Sequence, residues 1–171
     1  MLLCTLNGGF GMICYKKATL EELEALWDRD IAENPGDAHY LRWKRSFLHR
    51  NLTGRSATFL VLDGTSAIAQ VTLDCYADSY SGDRAPLADG NSTAYVNSLR
   101  IDPEYEGKGH VSRLMETMER WTKEQGFTRL TIGAEAVQTR NLSIYFHWGY
   151  TDFVMAEEND GALVLFYSKK L

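Results

Sequence analysis

The stretch Ile101-Asp-Pro-Glu-Tyr-Glu-Gly-Lys-Gly-His-Val-Ser-Arg113 decides how this chain is read. An apolar strand ends at Ile101, a turn bracketed by Gly107 and Gly109 follows, and an amphipathic helix begins at once. The first amides of a helix have no intrahelical acceptor and the helix dipole is positive there, so a pyrophosphate can supply what is missing. Glycine without a Cβ takes positive φ and leaves those amides unshielded, while Lys108 and Arg113 add charge. On this stretch alone an anion site and a mere tight connection are equally open. Two phosphate motifs are excluded: G-x-x-x-x-G-K-[ST] occurs nowhere, and the third glycine of G-x-G-x-x-G is replaced by Ser112.

Downstream of the turn, Val111, Leu114, Met115, Met118 and Trp121 repeat at helical spacing until Gly126, a stripe that belongs to a core. Upstream, residues 94–101 form the strand that feeds the turn. Before it, the mostly polar run from Ala77 to Thr93 reads as a long loop of a length often tied to function. Residues 58–62 and 67–75 are strands around Asp63-Gly64, a hairpin signal. Met12 to Lys17 reads as a strand, and Thr19-x-x-Glu22 as a capping box opening a helix with Leu20, Leu23, Leu26, Trp27 and Ile31 on one face. Asn34-Pro35-Gly36 ends it, and a second helix spans about residues 37–51. Towards the C-terminus come a strand over 129–136, a helix over 139–148, an apolar strand, a turn at 157–161 and a last strand over 162–168. The order is a mixed α/β arrangement.

The 171 residues, 44% of them apolar, suit one domain over residues 12–171, with residues 1–11 as an N-terminal extension and Met12 as a second start. Eighteen basic and 23 acidic side chains give a formal charge of −5, which argues against nucleic acid or an anionic membrane as partner and favours cationic ones. Cys4, Cys14 and Cys75 are odd in number and form no C-x-x-C pair, so they read as reduced thiols of a cytoplasmic protein without structural zinc. The short apolar start lacks a basic leader and is neither a signal peptide nor a span. The histidines have no metal-ligand spacing, and no metal is expected.

The order of elements, with the glycine turn after the fourth strand counted from Met12, resembles the GNAT family of acetyl-coenzyme A-dependent N-acetyltransferases. The likeness covers the chain beyond Met12 and rests on two motifs. The family's pyrophosphate loop, [QR]-x-x-G-x-[GA], is similar to Glu106-Gly-Lys-Gly-His-Val111, except that Glu106 stands where the family has Gln or Arg and Val111 where it has Gly or Ala. The family's late helix, N-x-R-A-I-x-L-Y-x-K-x-G-F, is similar to residues 138–150, with Gln138, Arg140, Asn141 and Tyr145 at the motif positions. The resemblance implies a central mixed, mostly antiparallel sheet with splayed fourth and fifth strands and helices on both faces. It further implies coenzyme A contacts from Leu99, Arg100 and Ile101, from Glu106, Gly107, Lys108, Gly109, His110, Val111, Ser112 and Arg113, and from Gln138, Arg140, Asn141 and Tyr145. A homodimer is common among such proteins.

Acetyl transfer to an amine needs a neutral amine, a partner for the developing oxyanion and a proton for the departing thiolate. In the resemblance Tyr145 lies beside the coenzyme A sulfur and supplies that proton, while an amide near Leu99 to Ile101 meets the oxygen. The bland alternative for Tyr145 is a packed aromatic among Phe146, Trp148 and Tyr150. The base is harder to find, because the inward candidates on the fourth strand are Tyr95 and Asn97. Glu135 on the next strand is the first substitute, and a water chain ordered by Tyr95, Asn97 and Ser98 is its rival. Acceptor contacts are expected from Trp27, Asp30, Tyr76, Tyr95 and Asn97. The resemblance implies an acceptor framed by the first two helices and the loop before the fourth strand, and the acidic residues there, Asp28, Asp30, Glu33 and Asp37 on one side with Asp78, Asp83 and Asp89 in the loop, favour a small cationic amine: an aminoglycoside-like antibiotic, a polyamine or an amino-acid derivative. A noncatalytic acyl-CoA-binding module and a protein N-acetyltransferase are the rival readings.

Overall fold

A computed structural model of the chain describes residues 3–6, 12–76 and 84–171. Its contacts fall into two units, Met1–Thr72 with Ser98–Met118, and Leu73–Asn97 with Glu119–Leu171. The class is mixed α/β with a mostly antiparallel sheet, as expected. Strands β4 (Ser66–Asp74) and β5 (Thr93–Ile101) and helix α3 (His110–Glu124) run through both units.

The first unit holds β1 (Leu3–Leu6), β2 (Met12–Lys17), α1 (Leu20–Glu33), α2 (Ala38–Leu52) and β3 (Ser56–Asp63), with strand order β1-β2-β3-β4-β5. Helix α1 starts where the capping box places it. Thr19 Oγ1 accepts from the Glu22 amide at 3.2 Å, and Glu22 Oε2 accepts from the Thr19 amide at 2.9 Å. Two of the four orphan donors of the helix start are thereby satisfied. The apolar face of α1 buries Leu23, Leu26 and Trp27 against Leu60, Leu62 and Cys14. Tyr40, Phe47 and Leu48 of α2 flank that cluster.

Antiparallel pairing of β1 with β2 sets Cys4 opposite Cys14. Cys14 is disulfide-bonded and Cys75 is a buried cysteine outside any disulfide, so the expectation of three reduced thiols is corrected for Cys14. Spacing along the sequence carries no trace of which residues a strand register brings together.

The second unit contains β6 (Arg129–Glu135), α4 (Thr139–His147), β7 (Asp152–Asn159) and β8 (Ala162–Lys170), in the order β5-β6-β8-β7. The turn expected at 157–161 is narrower. Strand β7 pairs with β8 as far as Asn159↔Ala162, leaving Asp160 (φ 50) and Gly161 (φ 79) to reverse the chain. Two successive positive φ values make the hairpin turn that matches strand twist. Ahead of β5, Asp89 fastens its segment by accepting from the amides of Asn91, Ser92 and Thr93 at 2.7–2.9 Å. Desolvation opposes its charge, yet these bonds and the Ser92 hydroxyl hold the carboxyl far below the usual range. Thr131 on β6 donates to the Leu87 carbonyl at 2.7 Å and ties the same segment down.

Gly133 on β6 faces Phe166 on β8, where a Cβ would lie 2.6 Å from the ring. Phe166 is 2% exposed and has no room to yield. Gly133→Ala is therefore expected to cost about 1–3 kcal/mol of stability through overpacking, read as a lower urea midpoint; an unchanged midpoint would contradict this account of the contact.

Candidate functional site

In the first unit, residues 101–113 have the geometry that an anion needs. Pro103–Tyr105 forms a single 3-10 turn, closed by the Tyr105 amide on the Asp102 carbonyl (2.9 Å) and the Glu106 amide on the Pro103 carbonyl (3.2 Å). Proline suits that first position because its fixed φ is already helical and its missing N–H costs nothing there. Gly107 and Gly109 then take φ of 72 and 80, and a Cβ built on either meets nothing within 4 Å. The space over the turn is open, and helix α3 starts immediately at His110. A diphosphate fits these residues: several amides without intrahelical acceptors face room for a bulky group.

Glu106, Lys108 and Arg113 are exposed, whereas His110 is buried. A 2.7 Å hydrogen bond joins His110 Nδ1 to the hydroxyl of Tyr15, which is fully buried on β2. Burial first, then Arg113 and Lys108, lower the His110 pKa below its ordinary value, with Asp63 pulling the other way. The Tyr105 hydroxyl donates to Asp63 Oδ2 at 3.0 Å, and Lys108 Nζ stands 5.0 Å from the centre of the Tyr105 ring.

Other expected residues of this unit are engaged in packing. Arg100 pairs with Asp30, which is 3% exposed. Arg29 donates to the Ala67 carbonyl at 2.6 Å and lies 3.7 Å from Asp102. Trp27 belongs to the α1 core, with its ring 5.1 Å from Phe47 and 6.5 Å from Tyr40. Leu99 and Ile101 are half-buried at the end of β5.

In the second unit the parallel pairing of β5 with β6 runs only from Thr93↔Arg129 to Val96↔Ile132. Beyond Ile132, β6 continues through Glu135 and stays paired with β8. The splay expected of these strands thus begins after Val96, and two residues later the backbone of Ser98 is left-handed at φ 50. A non-glycine residue in that region carries strain of about 1–3 kcal/mol, a cost that recurs at working sites.

Tyr95 and Asn97 lie on β5, Glu135 ends β6, and Tyr145 on α4 interacts electrostatically with the Tyr95 hydroxyl. The Asn97 amide donates to Asp74 Oδ2 at 3.1 Å. Tyr95 lies 6.0 Å from the Phe166 ring, and desolvation pushes its hydroxyl up to about 12 despite the pull of Arg84. Arg84 itself is held by Glu157. Tyr145 is 9% exposed, stacks on Trp148 at 6.0 Å, and is raised above the ordinary tyrosine value by burial. Glu135 is half-buried; its carbonyl accepts from the Gln138 amide at 2.9 Å, and its carboxylate makes no hydrogen bond or ion pair among the described residues. Gln138 precedes α4 and accepts from Asn141 Nδ2 at 3.0 Å, while Arg140 is exposed. Tyr76, 41% exposed, bridges to Asp89.

Two residues escaped the sequence. Asp74 is a fully buried carboxylate whose position at the apolar end of β4 was its only signal. Tyr15 is the last of three consecutive buried residues on β2, and nothing in the sequence around it marks its hydroxyl out. Asp78 and Asp83 lie outside the described residues. Among those described, no group of three or more His, Cys, Asp or Glu side chains is placed to hold a metal ion, and no helix is long and apolar enough to cross a membrane.

Solved structures share this architecture. The PaiA N-acetyltransferase from Thermoplasma acidophilum, in complex with coenzyme A, aligns with a TM-score of 0.59 at 18% identity over 93% of this chain and 99% of its own. A putative GNAT-family acetyltransferase from Desulfovibrio desulfuricans gives 0.68 at 11% identity over 92% and 98%. Ribosomal-protein-alanine N-acetyltransferase from Brucella melitensis gives 0.66 at 16% identity over 92% and 99%. At such identities the likeness concerns the fold. No curated protein matches the sequence. The family model described as Acetyltransferase (GNAT) family matches residues 20–150, which takes in the glycine turn, the parting strands and α4; the chain belongs to the GNAT acetyltransferase family.

Proposed function

We propose that the chain is an acetyl-CoA-dependent N-acetyltransferase whose acceptor is a primary amine on a small cationic molecule. The observation that carries this reading is the open glycine turn at the start of α3, with its unshielded amides and its φ values of 72 and 80. Bound acetyl-CoA would supply the activated acetyl group as a thioester. The amides from Gly107 to Val111 would hold the diphosphate, and a helix N-terminus contributes about 0.3–2 kcal/mol to such an anion independently of side-chain identity. Lys108, Ser112 and Arg113 would add side-chain donors, and Glu106 would oppose them. Leu99, Arg100 and Ile101 at the end of β5, with Gln138, Arg140 and Asn141 at the start of α4, would line the arm of the coenzyme.

Tyr145 suits the role of proton donor to the departing sulfur. Burial raises its pKa, so the hydroxyl keeps its proton at neutral pH. The amine must lose one. An alkyl ammonium with a pKa near ~10.4 is neutral to roughly one part in a thousand at pH 7, so a base or ordered water has to take the proton. Glu135 is the unpaired carboxylate available for this, and Tyr95, Asn97 and Ser98 are the groups that would order water in its place. Tyr76 and Tyr95 would cover the apolar part of the acceptor. Trp27 and Asp30, the other expected acceptor contacts, are buried within the first unit. The charge of −5 supports a cationic acceptor.

Thiol release from acetyl-CoA, measured against polyamines, aminoglycosides, amino-acid derivatives and an N-terminal peptide, tests the assignment. Release with a small cationic amine is the expected result. Release with the peptide alone would move the acceptor to protein amines, and coenzyme A binding without any release would make the chain a noncatalytic module.

Tyr145→Phe should lower turnover by about 10²-fold or more, the range of general acid catalysis, while coenzyme A affinity stays within about twofold. Unchanged turnover would remove Tyr145 from the chemistry. For the base, Glu135→Gln should lower kcat by about 10²-fold or more with coenzyme A affinity kept within about twofold; an unchanged kcat would leave ordered water as the proton acceptor.

A further inference from the structure

Both sides of the glycine turn are fastened to one pair of strands. Upstream, the Tyr105 hydroxyl donates to Asp63 at the end of β3. Downstream, His110 is bonded to Tyr15 on β2. Strands β2 and β3 pair antiparallel, with Ile13 opposite Asp63 and Tyr15 opposite Val61, so the two anchors sit on adjoining strands two residues apart in register. The rings continue the connection: His110 lies 6.1 Å from Tyr15 and 6.1 Å from Tyr105.

What lies between the anchors is loose by composition. Residues 106–109 are exposed, two of the four are glycines at positive φ, and a Cβ at either would touch nothing. A glycine-rich loop left to itself samples many conformations, and ordering it costs conformational entropy. Amides bind an anion well only when they converge before it arrives. A buried polar ring at the first position of α3 is also expensive unless it is hydrogen-bonded, and the Tyr15 hydroxyl meets that need.

We propose that Tyr15 and Asp63 form a two-point clamp that positions the diphosphate-binding turn, Tyr15 acting through His110 and Asp63 through Tyr105. Neither anchor touches the ligand; both are positioning residues. The clamp rests on the coenzyme A reading of the turn and adds to it a reason why a loop with two glycines and an acidic Glu106 would hold a diphosphate. Its effect is confined to the nucleotide end of the coenzyme, because the pantetheine arm is served by other residues.

The test is calorimetric titration of the parent protein, Tyr15→Phe and Asp63→Ala with coenzyme A and, separately, with pantetheine, which has no diphosphate. Steady-state KM for acetyl-CoA and S-acetylpantetheine runs alongside. Loss of one neutral hydrogen bond predicts a rise in coenzyme A Kd of about two- to tenfold for each variant. Pantetheine Kd, S-acetylpantetheine KM and kcat should stay within about twofold. A parallel loss for both ligands would reduce the pair to general stability and overturn the clamp, as would unchanged coenzyme A affinity in both variants. Should Tyr15→Phe fail to fold, Asp63→Ala decides alone, since Asp63 is only half-buried. Coenzyme A binding without turnover leaves the titration valid while removing the enzyme reading. A parent protein that binds no coenzyme A overturns both.

Discussion

For the proposed diphosphate site the first amides of α3 have to be left to the ligand, and contacts within the first unit hold the turn that presents them. A helix start is normally satisfied by a capping side chain, as Thr19 and Glu22 satisfy α1. At α3 the equivalent positions are Gly107, Lys108 and Gly109, none of which has a side chain that could accept from the following amides. The earliest turn-to-helix backbone bond is the Arg113 amide on the Gly109 carbonyl at 3.3 Å. An uncapped helix end stabilises the fold less than a capped one, by about 0.5–2 kcal/mol. The cost is offset by the contacts that fix the turn from behind, through Tyr105 and His110. Charge follows the same division, with Lys108 and Arg113 outward and the neutral-leaning His110 inward.

A second constraint operates in the other unit, where strand pairing ends early. A parallel ladder that stops at Val96↔Ile132 leaves the last residues of β6 without the β5 partner they would otherwise have. Strand β6 keeps its shape because β8 continues to pair with it up to Glu135↔Val164. The left-handed Ser98 turns β5 at this point without proline or glycine. The opened strand ends carry polar side chains and the unpaired Glu135, while the bulk of the hydrophobic burial lies elsewhere, in Leu130, Ile132 and Phe166. Core and chemistry are thus kept on different residues of the same strands.

Most elements were legible because their signals are local. The capping box named the first residue of α1, Asp63-Gly64 named the hairpin, and the apolar stripe named α3, whose Leu114, Met115 and Met118 are all buried. Where the reading failed, the deciding interaction was not local. Glu157, Glu158 and Asn159 have turn-like composition, yet they extend β7 because Val164, Leu163 and Ala162 stand opposite to pair with them. Residues 3–6 are too few to show a period, and only their partners on β2 make them a strand. At the candidate site the glycine turn and Tyr145 were visible as motifs. The Asn97–Asp74 bond joins residues 23 apart and the Tyr15–His110 bond joins residues 95 apart, and no motif spans such distances.

Acidic composition proved a coarser guide than position. Of the carboxylates that suggested a cationic acceptor, Asp28 is held by Lys44 at 2.5 Å, Asp30 by Arg100, Asp37 by its own helix start and His39, and Asp89 by three amides. A carboxylate so engaged has its charge largely matched before any ligand arrives, and a second cation gains little from it. On a cationic acceptor, as proposed, the acidic surplus would therefore act as a long-range field, raising encounter rates at low salt. Close recognition has to come from groups with spare hydrogen-bonding capacity beside the parted strands. Glu135 is the carboxylate there with no partner among the described residues. On the proposed function, a single uncommitted carboxylate would suit one ammonium group better than a polycation, because each further ammonium would need a carboxylate that the fold has already committed.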